Sequence, residues 1–388
     1  MGQRFLTERL QGFGTTIFAE MSSLAIATGS VNLGQGFPDT DGPDEVLSAA
    51  AAAVGRDSGF NQYPPGIGLP SLRQAIVEHQ DRFYGLHFEP DSEVLVTAGA
   101  TEAIAASLLS LLGPGDEVIV FEPLYDSYAA CIAMAGAQRR TIVLRAPGYS
   151  FDPAELSACV NNRTRAILLN TPHNPTGKVF TEAELRAIAA VAIEHDLVVI
   201  SDEVYEHLVF DGPHIPIATL PGMGERTVTI SSGGKTFSVT GWKIGWVCAP
   251  AALVSAVRTV KQFLTYVNGG PFQPAIAAGL RLPDSYFERY TADMAVKRGL
   301  ICEGLSDAGF TVHRPQGTFF VTVDIRPLGF DDGEVFCRSL PDRCGVVGIP
   351  SVVFYDDKAE GRPLVRFAFC KRPEVLAEAV TRLRRLAS

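Results

Sequence analysis

The sequence predicts an α/β fold: a mostly parallel sheet between helices, joined to a smaller α/β domain. Three observations carry this prediction. Six short apolar runs recur through the middle of the chain, a capped amphipathic helix separates two of them, and polar motifs follow the ends of the runs.

The runs lie at residues 94–97, 117–121, 166–169, 197–200, 227–230 and 245–248. Being nearly continuously apolar, they indicate strands buried on both faces. Between the third and fourth, Thr181 and Glu184 have the spacing of a capping box, and Leu185, Ile188, Ala189, Ala192 and Ile193 recur at helical spacing. This is a strand-helix-strand unit, and sheets built from such units take ligands beyond the carboxyl ends of their strands. The large domain is expected at residues 43–275, with residues 1–42 and 276–388 forming the smaller one. Residues 375–386 read as a final helix in which Arg382, Arg384 and Arg385 make a solvated end favoured by the helix dipole. No internal repeat or low-complexity tract interrupts the pattern.

With 388 residues, 46% of them hydrophobic, the chain can bury a large core. A net charge of −10 argues against nucleic acid as a partner, since phosphate-neutralising surfaces are basic. Seven scattered cysteines without a C-x-x-C pair suit free thiols in a reducing compartment better than disulfides or zinc. The charged stretch at residues 1–10 does not suit a signal peptide, and no apolar run is long enough to span a membrane. A cytoplasmic protein acting on small molecules is therefore expected.

Chemistry concentrates at the run ends. Lys235 follows residues 227–230 and the turn Ser231, Ser232, Gly233, Gly234, where small residues let backbone approach a ligand closely. A lysine so placed suits a Schiff base, although such turns also bind nucleotides or serve as plain loops. Gly99, Ala100 and Thr101 open a helical run, so backbone N–H groups and the Thr101 hydroxyl suit a phosphate; a plain helix cap is the alternative for Thr101. Tyr125 has a ring to cover a planar ligand or to pack in the core.

Asn170 and Asn174 frame a turn fixed by Pro172, Pro175 and Gly177. Asp202 ends a strand, where it needs a cation unless it caps a helix. Arg366 interrupts the apolar alternation of residues 364–369 and suits bidentate capture of a carboxylate, or else a structural salt bridge. An imine-forming lysine, an aspartate for a ring nitrogen, an asparagine and a tyrosine for a phenolate oxygen, and a phosphate cradle together describe a pyridoxal 5'-phosphate site.

Through Asn174-Pro-Thr-Gly177, Asp202-x-x-Tyr205, Ser232-x-x-Lys235 and Arg366, in that order, the chain resembles the class I/II aminotransferases of the aspartate aminotransferase fold. The resemblance covers nearly the whole chain. It implies fold type I, with a mostly parallel seven-stranded sheet. Within the family, residues 32–39, 61–65 and 241–246 resemble the branch that holds kynurenine and glutamine transaminases and actinobacterial N-succinyldiaminopimelate aminotransferases. Residues 18–21, 125–128, 202–210 and 272–275 resemble the last most.

The resemblance implies that Lys235 carries the cofactor and shuttles the substrate proton, while Asp202 faces the ring nitrogen and Asn174 and Tyr205 face its O3′. Tyr125 stacks on the ring. Ser232, Lys243, Ala100 and Thr101 hold the phosphate, with Tyr63 reaching it from the partner subunit of a homodimer. Arg366 clamps the α-carboxylate with help from Asn174 and the backbone at Gly36. By family position, Phe18, Gln35, Tyr266 and Phe272 are candidates for the side-chain pocket. Residues 265–272 contain no arginine, which disfavours selection of a second carboxylate in the manner of aspartate transaminases. The implied reaction is amino transfer between an amino acid and a 2-oxo acid, with glutamate and 2-oxoglutarate as one pair and N-succinyl-LL-2,6-diaminopimelate as donor in lysine biosynthesis. Kynurenine, glutamine or methionine transamination with cysteine-conjugate β-lyase activity is the alternative. A non-catalytic cofactor sensor is more remote, because about 40 residues precede the large domain, too few for a winged helix.

Overall fold

The computed structural model describes residues 5–14 and 16–386, so the first four residues of the charged N-terminal stretch lie outside it. The strands are β1 (Val31–Asn32), β2 (Val94–Thr97), β3 (Glu117–Glu122), β4 (Gln138–Val143), β5 (Thr164–Asn170), β6 (Val198–Asp202), β7 (Thr227–Ser232), β8 (Gly245–Cys248), β9 (Thr311–His313), β10 (Phe320–Asp324), β11 (Val346–Val347), β12 (Ile349–Pro350) and β13 (Leu364–Ala368). Seven form one sheet in the order β2-β8-β7-β6-β5-β3-β4. Only β8 runs against its neighbours β2 and β7. All six apolar runs are strands of this sheet.

The seventh strand, β4, is not one of those runs. Its sequence Gln-Arg-Arg-Thr-Ile-Val lies at the sheet edge with its first residues partly solvated, so it lacks the apolar continuity of the others.

Successive side chains of each central strand enter opposite cores, as the pleat requires. Val118 and Val120 pack with the helices Gly99–Leu111 and Asp126–Ala135, while Ile119 and Phe121 pack with the helix Glu182–Glu194. That last helix has the expected capping box at Thr181 and Glu184. Its buried face is Leu185, Ile188, Ala189, Val191 and Ala192, whereas Ile193 is rotated outward and 44% exposed.

A second sheet, β12-β13-β10-β9, is antiparallel and shares a core with Met21, Ala25 and Leu33 and with the final helix Pro373–Leu383. The boundary expected at residue 275 falls inside the helix Phe272–Leu280, whose Ala275, Ile276, Ala277 and Leu280 are buried against the main sheet. The next helix, Asp284–Asp307, belongs to both regions, with Phe287 in the sheet core and Ile301 and Leu305 in the other. At the chain end the arginines are not simply solvated. Arg382 donates to the Gly345 carbonyl at 3.0 Å and to Glu378, and Arg384 pairs with Asp307.

The register aligns the chemistry. Asn170 pairs with Asp202 at the ends of β5 and β6, and Ser232 pairs with Gly245 at the start of β8. Polar residues from separate motifs thus emerge along one edge, as expected for an open α/β sheet.

Candidate active site

A cavity of about 440 Å³ opens at this edge, lined from both regions of the chain. Lys235 enters it from the short helix Gly233–Thr236, directly after β7. Gly234 is tight against Thr240, where an added Cβ would stand 3.1 Å from a backbone atom. The Lys235 carbonyl accepts a hydrogen bond from the Tyr290 hydroxyl at 2.8 Å, and the neighbouring Thr236 carbonyl accepts one from Tyr286 at 2.9 Å. Its Nζ stands 5.9 Å from the Tyr205 ring and 5.7 Å from the Phe319 ring. Burial, partly opposed by nearby acidic groups, pulls its pKa below the usual lysine value, which favours the neutral, nucleophilic amine.

Asp202 ends β6 and is buried. It caps no helix. Its Oδ2 accepts the Tyr128 hydroxyl at 2.6 Å and its Oδ1 accepts the Val204 N–H at 3.3 Å. Burial pushes its pKa up to about 6 despite both donors, so a cation brought against it would be bound strongly. Tyr205, also buried and lining the cavity, meets Phe319 edge-on. The turn between β5 and Asn174 is held by Asn170, which donates to the Asp202 carbonyl at 2.9 Å and accepts the Asn174 N–H at 2.8 Å.

Gly99, Ala100, Thr101, Ser232 and Lys243 gather at one end of the cavity. Thr101 lies within the first turn of its helix and is exposed; the capping alternative falls to Glu102, which accepts the Ala98 N–H at 2.5 Å. Two glycines make this cradle. A Cβ on Gly99 would stand 3.3 Å from Lys243 Nζ, and one on Gly245 would be driven to within 2.6 Å of the Gly99 backbone. Backbone N–H groups, a hydroxyl and an ammonium form a donor set suited to a phosphate. Tyr125 lines the wall between this cradle and Arg366, and burial raises its phenol to about 12, keeping it neutral.

Arg366, on β13, is 1% exposed. It donates to Asn174 Oδ1 and to the Gly34 carbonyl, each at 3.0 Å, and its Nε has no partner. Among the described residues no carboxylate comes within ion-pair distance, which removes the structural salt bridge as an explanation. The guanidinium lies 4.0 Å from the Phe320 ring centroid, 5.1 Å from Phe354 and 5.2 Å from Phe18. Burial lowers its pKa to about 10, so it stays charged at neutral pH. Gly36 lines the cavity because a side chain there would collide with Phe320. The Gln35 amide donates to Ser22 at 2.7 Å and to the Phe18 carbonyl at 3.0 Å, fixing both residues at the rim.

Three candidates are not brought here within one chain. Tyr63 is 81% exposed and meets Tyr266 edge-on, with ring centroids 5.6 Å apart. Tyr266, in a left-handed conformation at φ 63°, turns outward, and Phe272 stacks on Trp242 at 4.8 Å. Tyr63 instead lines a second surface cavity with Asn268, Gly269 and Gly270. Tyr128 and Phe320, conversely, are cavity residues to which sequence assigned no role. Tyr128 offered one signal, its spacing of three from Tyr125, which caps the helix that carries it.

Comparison with known proteins agrees with this geometry. The family profile described as aminotransferase class I and II matches residues 28–383. The chain is 50% identical over 390 residues to the probable N-succinyldiaminopimelate aminotransferase DapC of Mycobacterium tuberculosis, covering 98% of each chain. A solved N-succinyldiaminopimelate aminotransferase structure from Mycobacterium tuberculosis superimposes with a TM-score of 0.95, covering 98% of this chain and all of that one. The methionine aminotransferase of Escherichia coli is 39% identical over 379 residues, with 97% of each chain covered. No helix among the described residues is long and apolar enough to cross a membrane. With the fold, the lysine and the buried arginine all in agreement, the chain belongs to the class I and II aminotransferases, a pyridoxal phosphate-dependent family.

Proposed function

We propose that this enzyme binds pyridoxal 5'-phosphate at the Lys235 cavity and transfers the amino group of N-succinyl-LL-2,6-diaminopimelate to 2-oxoglutarate. The observation that carries the reading is that Lys235, Asp202 and Arg366 face one cavity, with Asp202 and Arg366 both buried and, among the described residues, none of the three in a direct ion pair. The cavity fits the cofactor on its own chemistry: a phosphate cradle that side chains would fill, a buried carboxylate with no cation in direct contact, and a lysine whose pKa burial lowers.

When bound, the cofactor supplies a conjugated ring that stores the electrons released at the substrate Cα. Asp202 holds the proton on the ring nitrogen, and Tyr128 holds Asp202. Asn174 and Tyr205 would hold the phenolic oxygen O3′, and Tyr125 would cover the ring. Ser232, Lys243 and the N–H groups of Ala100 and Thr101 bind the phosphate. Arg366, aimed by Asn174 and the Gly34 carbonyl, takes the α-carboxylate, and the backbone at Gly36 closes over it. That clamp would orient the Cα–H bond toward Lys235 Nζ, the amine placed to take up and give back the proton.

The active unit is a homodimer in which Tyr63 of one protomer reaches the phosphate of the other. Its exposure, beside the cavity lined by Asn268 and Gly270, supports this. Tyr266 and Phe272 act in the substrate pocket only from across that interface. The seven unpaired cysteines support a cytoplasmic setting. The mycobacterial relative supports the succinylated donor. The Phe18, Phe320 and Phe354 rings around Arg366 favour a second reading, transamination of methionine or kynurenine.

A half-reaction panel decides between them. Cofactor absorbance is followed on adding N-succinyl-LL-diaminopimelate, glutamate, kynurenine, glutamine or methionine. The highest kcat/KM is expected for the succinylated compound, and a higher value for kynurenine or methionine would overturn that choice.

A further inference from the structure

The turn after β6 has two faces. Asp202, Val204 and Tyr205 line the cavity, whereas Glu203, Glu206 and His207 do not. The second set enters a buried polar cluster that amino transfer leaves unused. His207 Nε2 faces His79 Nε2 at 2.7 Å, and the ligand atoms of His79, His207 and Glu206 all lie within 4.8 Å of one another. His79 and Glu206 are 2% and 5% exposed, and His207 is half-buried.

We propose that His79, His207 and Glu206 form a site for a divalent transition metal of the zinc class, independent of the cofactor. Two imidazoles meeting Nε2 to Nε2 share one proton between two lone pairs. Around them the walls are aromatic: Phe83 lies 4.8 Å from each ring, and Phe287 lies 4.4 Å from His207. A divalent cation replaces the shared proton and takes both lone pairs, while Glu206 supplies negative charge. Two imidazoles and one carboxylate are a donor set that zinc accepts, leaving a fourth position for water.

The geometry needs a small adjustment. Zinc–nitrogen bonds of about 2.0–2.1 Å at a near-tetrahedral angle place the nitrogens roughly 3.3 Å apart, so the two rings must separate by about half an ångström. Protons balance: the ring that held hydrogen on Nε2 carries it on Nδ1 once the metal is bound, and both imidazoles stay neutral. Glu206 is already oriented, because it accepts the Ser231 hydroxyl and a hydrogen bond from Tyr84. Such outer partners fix the ligand carboxylate.

The surrounding charges are of both signs. Arg82 lies over the outer side of the Phe83 ring at 4.8 Å and opposes a cation, while Glu203, bonded to His214 at 2.7 Å and to Ser201, favours one. The site ties the helix Pro70–Tyr84 to the turn that carries Asp202 and Tyr205. Metal there would brace that turn from behind.

The test uses the full chain after dialysis against chelator, titrated with Co²⁺ or Zn²⁺ alone, with and without pyridoxal phosphate. One Co²⁺ per chain is expected, with visible d–d absorption that Zn²⁺ abolishes, and the thermal midpoint should rise with Zn²⁺. His207→Asn should weaken binding by at least about 100-fold, because a ligand matters more than the outer partners that cost 10- to 100-fold. If that variant fails to fold, Glu206→Gln, with an isosteric amide that removes the ligand's charge, takes its place and should likewise weaken binding by at least about 100-fold. Absence of binding tighter than about 10 μM, or binding unchanged in the folded variant, would overturn the site.

Discussion

Two buried arginines, Arg298 and Arg366, are held differently in this molecule. Away from the cavity Arg298 pairs with Asp211 at 2.6 Å, as Lys178 does with Glu184 and Lys297 with Asp293, each at 2.7 Å, while Lys261 and Lys371 are capped by backbone carbonyls. Inside the cavity, Arg366 leans on aromatic rings and neutral oxygens alone. Burying a charge without its opposite costs several kcal/mol, and Arg366 differs from Lys261 and Lys371 in lining an open cavity with its Nε unbonded. The difference separates a guanidinium whose bonding is spent on holding the protein together from one with bonding capacity left over.

The sharpest test of that contrast is Lys235→Ala. Turnover should fall by about 10⁴-fold, since nucleophile and proton carrier vanish together, while the cofactor-free protein keeps its thermal midpoint. A spectrum after cofactor addition identical to wild type would break the assignment.

Next comes the pair Arg366→Ala and Arg298→Ala. The first should lower kcat/KM by roughly 100-fold or more and leave stability nearly unchanged. The second should cost about 1–3 kcal/mol of unfolding free energy with kcat within about threefold. Equal effects of both variants on both measurements would erase the distinction drawn above.

Asp202→Asn tests the same idea through pH. A carboxyl whose folded pKa is raised contributes stability that is present below its unfolded value of 3.8 and lost as pH rises through about 6. Asparagine does not titrate, so the cofactor-free variant should gain on wild type between about pH 4 and 6. By pH 7 the gain should reach about 2–3 kcal/mol, read from denaturant melts. A pH-independent difference would show that Asp202 is not strained by burial.

The smallest effect is expected from Tyr128→Phe. Loss of its hydrogen bond to Asp202 should raise that carboxyl further and reduce kcat by about tenfold, a change visible in the pH–rate profile.

The sheet was legible because its central strands are apolar on both faces, and the cavity because polar residues stop those runs abruptly, as Asp202 and Ser232 do. The edge strand β4 was not, since solvent on one side permits Arg139 and Arg140 within it. Tyr128 was visible as a residue but not as a partner, because its bond to Asp202 joins segments 74 residues apart. The same holds for His79 and His207, which lie 128 residues apart and come together only through packing. The outward turn of Tyr266 depends on a left-handed residue that no local pattern announced.

One further consequence follows from the helix Asp284–Asp307. Its first turns are embedded beneath the main sheet, its later turns lie in the other core, and its Tyr290 holds the backbone of Lys235. A rod anchored at both ends prevents either half from melting alone. Denaturation should proceed as one cooperative event, and the Lys235 backbone should lose its anchor at the same denaturant concentration at which the rest of the molecule gives way.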